Sequence, residues 1–67
     1  MVITVQKLKR RWRVVHPQQA GSRQFECGVE AFDAAAALAR DHHLRTGACA
    51  AVRVQAFSTT VEALRVG

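Results

Sequence analysis

Polar and apolar residues alternate in several stretches of this chain, and in one they recur at helical spacing. Residues 2–8 are β-branched and apolar enough for a strand, with Ile3 and Val5 on one side. Residues 11–16 alternate more clearly, Trp12 and Val14 pointing one way and Arg11 and Arg13 the other. Pro17, Gly21 and Ser22 then bound a loop, and residues 23–27 resume the alternation, Phe25 and Cys27 against Gln24 and Glu26. The simplest assembly is a hairpin that pairs Trp12 and Val14 with the Phe25 and Cys27 side. Lys9 and Arg10 would turn the first strand into the second, although no glycine marks that turn; the alternative is one long bent strand over residues 3–15.

After Gly28 the pattern changes. Residues 29–43 hold no glycine, no proline and six alanines, which predicts a helix. At 100° per residue Val29, Phe32, Ala35, Ala36, Leu38, Ala39, His42 and His43 share one half of it, and Glu30, Asp33, Arg40 and Asp41 the other. Small alanines would let the helix approach a sheet closely. Gly47 is placed to terminate it. Residues 49–57 read as a closing strand with Ala50, Val52, Val54 and Ala56 inward and Arg53 and Gln55 outward. The stretch from Thr59 to Glu62, with Val61 and Leu64 as an apolar stripe, predicts a short C-terminal helical tail that docks or frays, because so few residues cannot hold a helix alone. The expected architecture is α+β: an antiparallel sheet of three strands or four, one alanine-rich helix on one face, in ββαβ or βββα-β order. Residues 1–57 form the domain and 58–67 the tail.

A chain of 67 residues has room for one core and buries only about 60% of its unfolded surface. Charges interrupt the first 15 residues where a signal peptide needs apolar ones, and no run nears the ~18 apolar residues of a membrane span. Cys27 and Cys49 fall near opposite ends of the expected helix, about 20 Å apart, too far for a disulfide. These features point to a cytoplasmic protein with reduced thiols. The net charge is +5, and it is unevenly spread. Lys7, Lys9, Arg10, Arg11, Arg13 and Arg23 all precede the first acid, Glu26, whereas the rest of the chain is nearly neutral. A partner rich in phosphate or carboxylate suits that half.

Catalysis needs a constellation that the sequence lacks. Glu30, Asp33 and Asp41 lie on the expected solvent side of one helix, Ser22 and Ser58 have no accompanying base motif, and there is no phosphate-binding glycine loop. The expectation is a non-enzymatic protein without cofactor. His42, His43 and Cys49 come close in sequence, but a metal site needs further ligands, and adjacent histidines diverge by 100° on a helix. They read better as the positive end of the helix. Cys27 reads as a buried or capping thiol. The basic cluster remains. If Trp12, Val14, Phe25, Val52 and Val54 face the helix, alternation sends Arg11, Arg13, Gln24, Arg53 and Gln55 to the opposite face, with Lys7, Lys9 and Arg10 at its edge or turn. Guanidinium groups on such a face can fork to phosphates or guanine edges, and glutamines can read adenine. Polar residues covering the open side of a one-layer sheet are the competing explanation.

The segments Trp12-Arg13-Val14, Cys27 to Phe32 and Ala34 to Arg40 resemble a family of small bacterial ββαβ domains of unknown function. That family has a W-x-V strand, a T-x-x-E-A-I helix start and an A-x-x-L-A-R helix body. Cys27 stands where the family has threonine. The resemblance implies a fold and no activity. Trp12, Arg11, Arg13 and Arg23 followed by Ala31 to Ala39 are similar in order to the sheet-reading DNA-binding domains of plant ethylene-response factors and phage integrase arm-binding domains. In its small size and α+β make-up the chain is also similar to phage-encoded inhibitors, basic or acidic, such as anti-CRISPR proteins.

These readings make the chain a small binding module in which Lys7, Lys9, Arg10, Arg11, Arg13, Arg23 and Arg53 engage DNA or RNA, or a nucleoprotein complex. The alternatives are an inhibitor from a phage or mobile element, docking on an acidic protein surface, and a structural subunit that self-associates into a homo-oligomer through a sheet edge.

Overall fold

The computed structural model describes residues 1–17, 22–56 and 58–67. The middle of the expected Pro17–Ser22 loop, residues 18–21, and Phe57 at the end of the expected closing strand lie outside them. The elements run β1 (Val2–Lys7), β2 (Trp12–Val15), β3 (Ser22–Phe25), α1 (Gly28–Thr46), β4 (Ala50–Ala56) and β5 (Thr59–Val66). The strands form one sheet in the order β3-β2-β1-β4-β5, with α1 on one face.

The α+β class, the helix and the hairpin of Trp12 opposite Phe25 follow the sequence pattern. Lys9 and Arg10 do form a turn, closed by the Leu8 N–H donating to the Arg11 carbonyl at 2.8 Å. Neither residue has positive φ, so no glycine is needed. Two expectations are corrected. The sheet is mixed: β4 lies beside β1 and parallel to it, Ile3 opposite Val52 and Val5 opposite Val54. A chain that leaves β3, crosses the sheet through α1 and returns beside β1 enters in the direction β1 runs. The expected helical tail is β5, an antiparallel strand on β4. Val61 and Leu64, three apart, look like a helical stripe. A bulge leaves Ala63 without an opposite residue, so Val61 pairs with Val54, Leu64 with Val52, and both point at α1. Ser58, at φ 64, takes the left-handed turn conformation that the eye seeks in glycine.

The core is a narrow layer between α1 and the three inner strands. Ile3, Val5 and Val52 are the largest fully buried side chains, and Val14 and Ala50 join them. From the helix come Ala31, Ala35 and Ala39, all without exposure, at the i, i+4, i+8 spacing of one stripe. The expected helix face is therefore rotated. Ala31 is inside, whereas Val29 is 68% exposed. His42 completes the buried stripe, and Gly47, at φ 73, ends the helix with its N–H on the His43 carbonyl at 2.7 Å.

Gly28 carries a local constraint. A Cβ there would sit 2.8 Å from Cε2 and Cζ2 of Trp12, whose ring lies against the first turn of α1. Gly-to-Ala inside a helix ordinarily gains up to about 1 kcal/mol. Here the contact reverses the sign, because the indole must move. Gly28→Ala is expected to lose about 1–2 kcal/mol, read as a lower melting temperature together with a shifted tryptophan emission.

Candidate nucleic-acid interface

Because β1 and β4 run together and β2 and β5 run back, the β1–β2 turn, the β4–β5 turn and the start of α1 meet at one end of the sheet. Trp12, opposite both Lys7 and Phe25, sits at that end under the helix. Alternation then puts the residues that flank the core positions on the face away from α1.

One row crosses that face. Gln24 stands opposite Arg13, Arg13 opposite Gln6, Gln6 beside Gln55, and Gln55 opposite Thr60. Side chains bond along it. Arg13 donates from Nε and Nη2 to Oε1 of Gln6 at 2.9 and 2.6 Å, and Gln6 Nε2 donates to Oε1 of Gln55 at 2.9 Å. Arg11 Nη1 reaches Gln24 Oε1 at 3.4 Å. The amides thus hold the guanidinium groups in place while leaving their charge uncancelled. Beside the row is a shallow depression of about 500 Å³, lined by Gln6, Arg13, Gln55, Ser58 and Thr60 among others. Its amide, hydroxyl and guanidinium groups suit a phosphate or the edge of a base.

The structure gathers some of the expected site residues and separates others. Arg11 and Arg13 lie on the open face, and exposed Lys9 and Arg10 form the turn at its end. Arg53 is on the same face, one row down, next to Thr4 and opposite Glu62. Lys7 turns to the helix side, its Nζ 5.1 Å from the Trp12 ring centroid. Arg23, opposite Val14, also lies on the helix side, at the outer strand, with its guanidinium 5.2 Å from the Phe25 ring. Gln6 is the member that the reading of the sequence left out. Its signal was present, since Ile3 and Val5 pointing inward send Thr4 and Gln6 outward.

Charge pairing divides the face. Among the described residues the ion pairs are Arg45–Asp41 on the helix, 2.9 Å, and Arg65–Glu62 on β5, 3.2 Å. None of Lys7, Lys9, Arg10, Arg11 and Arg13 meets a carboxylate there. The β2–β1 side of the molecule keeps its positive field, and on the β4–β5 side Glu62 offsets Arg65 while Arg53 forms no ion pair among the described residues.

His42 is buried under the helix, whereas His43 has Nδ1 2.9 Å from the Ala48 carbonyl oxygen. No group of three or more His, Cys, Asp or Glu arranged to hold a metal occurs among the described residues. Cys27 occupies the N-cap position but is exposed and makes no side-chain cap bond, so it is not the buried or capping thiol expected; both cysteines are free of disulfides and exposed. No helix among the described residues is long and apolar enough to cross a membrane. Comparison with protein-family models, curated proteins and solved structures finds no match for this chain.

Proposed function

We propose that this chain is a small nucleic-acid-binding module whose β1–β2 end contacts the phosphate backbone. The observation that supports this reading is the group of cations from Lys7 to Arg13, which has no carboxylate partner among the described residues and occupies one end of the sheet. Packing so many like charges together costs electrostatic energy; attraction to phosphates offsets it, and release of the polyanion's condensed counterions adds to binding. Lys9, Arg10 and Arg11 at the turn and Arg13 on the open face are the contacting groups.

The width of the sheet refines the reading. Five strands at about 4.8 Å spacing span roughly 20 Å, against a major groove about 12 Å wide, so the whole face cannot enter a groove. The two-strand β1–β2 end can. The described aromatics offer no stacking platform on the open face, because Trp12 and Phe25 are turned to the helix and Phe32 belongs to it. For the described residues this reading rests on phosphate contacts.

A mobility-shift titration against a short mixed-sequence duplex tests this. Four phosphate contacts predict a log–log salt slope near −3.6, which is a ~150-fold loss of affinity between 50 and 200 mM salt. Absence of any complex at 50 mM salt with duplex or single strand rules the reading out. Co-purification with a protein from nuclease-treated lysate would then favour an inhibitor that docks on an acidic protein surface.

A further inference from the structure

At one margin of the sheet, β5 presents an outer row of backbone N–H and C=O groups that no described strand pairs. It is eight residues long, whereas β3 at the opposite margin has four. Charges and bulges normally blunt such edges, and β5 has both, in Glu62, Arg65 and the bulge at Ala63. Where these stand decides what they exclude.

We infer that two copies of this chain pair antiparallel through β5, in a register centred between Ala63 and Leu64. Glu62 then stands opposite Arg65 of the second copy, and Val61 opposite Val66, each twice by symmetry. Antiparallel pairing requires opposed residues to share a face, and the bulge provides this. Glu62 and Arg65 both lie on the open face, and Val61 and Val66 both on the helix face. Registers centred on Glu62 or on Arg65 would set like charges against each other. The charges therefore select one self-pairing and discourage neighbouring ones.

The apolar surface agrees with this occupant. Val61 is 55% exposed, and its partner Val54 lines an apolar groove of about 430 Å³ with Trp12, Val29 and Phe32. Val66 of the second copy, lying opposite Val61, extends that strip and takes Val61 out of water. The two sheets become one, with both helices on one side and both open faces on the other. The inference stands apart from the nucleic-acid reading, since none of the residues from Lys7 to Arg13 takes part.

Sedimentation velocity of the full chain up to about 1 mM tests it; a monomer–dimer equilibrium is the expected result. Glu62→Arg and Arg65→Glu are each expected to be monomeric where the wild-type chain is a dimer. Mixing the two variants in equal amounts restores a species of dimer mass, because each like-charged pair then faces its opposite. Circular dichroism of each variant keeps misfolding separate from dissociation. Val61→Lys, which leaves the ion pair intact and is also expected to be monomeric, serves if either charge variant fails to fold. A wild-type chain that stays monomeric up to ~1 mM overturns the proposal. So does a mixture of folded variants that stays monomeric, or dimerisation of Val61→Lys as tight as that of the wild type.

Discussion

Ala35→Leu is expected to lower the melting temperature by about 12–24 °C, and Ala37→Leu, two positions along, to leave it nearly unchanged. Ala35 has no exposure and sits in the middle of the stripe through which α1 meets Ile3, Val5 and Val52. Three more carbons there must either push the helix away from the sheet or force its neighbours out of their rotamers. Overpacking of this kind costs about 3 kcal/mol at the upper end of its usual range, and each kcal/mol moves the midpoint of so small a domain by about 4–8 °C. The total stability of 67 residues is only about 3–10 kcal/mol, so a loss of that size leaves little margin. Ala37 is exposed on the far side of the same helix, where leucine changes little. Thermal melts followed by circular dichroism give both numbers. Equal midpoints for the two variants would show that the alanine stripe is not where helix and sheet meet.

The second large effect concerns the proposed nucleic-acid interface. Arg11→Glu combined with Arg13→Glu is expected to weaken duplex binding by about 100-fold or more at 0.1 M salt. Losing two phosphate contacts removes about 1.8 from the log–log salt slope, which at that salt is already ~60-fold, and the new carboxylates add repulsion. The control is Arg40→Glu with Arg45→Glu, an equal change of net charge on exposed helix positions away from the β1–β2 end. It is expected to cost less than about 3-fold. If both pairs lower affinity alike, the binding follows net charge and has no defined face. If affinity survives the first pair, the contact surface is elsewhere.

Much of this architecture can be read along the chain, for local reasons. Alternation in residues 11–16 and 23–25 reflects a sheet with one face against a helix and one in water, whereas Glu26 and Cys27, expected to continue the strand, lead into the helix start and are exposed. The alanine run followed by Gly47 reflects close packing and a left-handed cap. What local reading missed is equally specific. The direction of β4 depends on where a crossover of nineteen helical residues brings the chain back, which neighbouring residues do not encode. Val61 and Leu64 share a side in a helix and, through one bulge, in a strand too, so their spacing does not discriminate. The rotation of α1 that buries Ala31 and exposes Val29 follows from how closely alanines let the helix approach, with Trp12 wedged against Gly28.

The proposed interface divides in the same way. By itself the sequence determined that positive charge accumulates before Glu26 and that Arg11 and Arg13 point away from Trp12 and Val14, because both properties are carried by nearest neighbours. Only the tertiary structure decided that Lys7 and Arg23 stack on rings at the helix side, that Gln6 joins Arg13 to Gln55 across three strands, and that Glu62 neutralises Arg65 and not the β1–β2 end. Those outcomes depend on strand order and register, which are set when distant segments meet over a shared core.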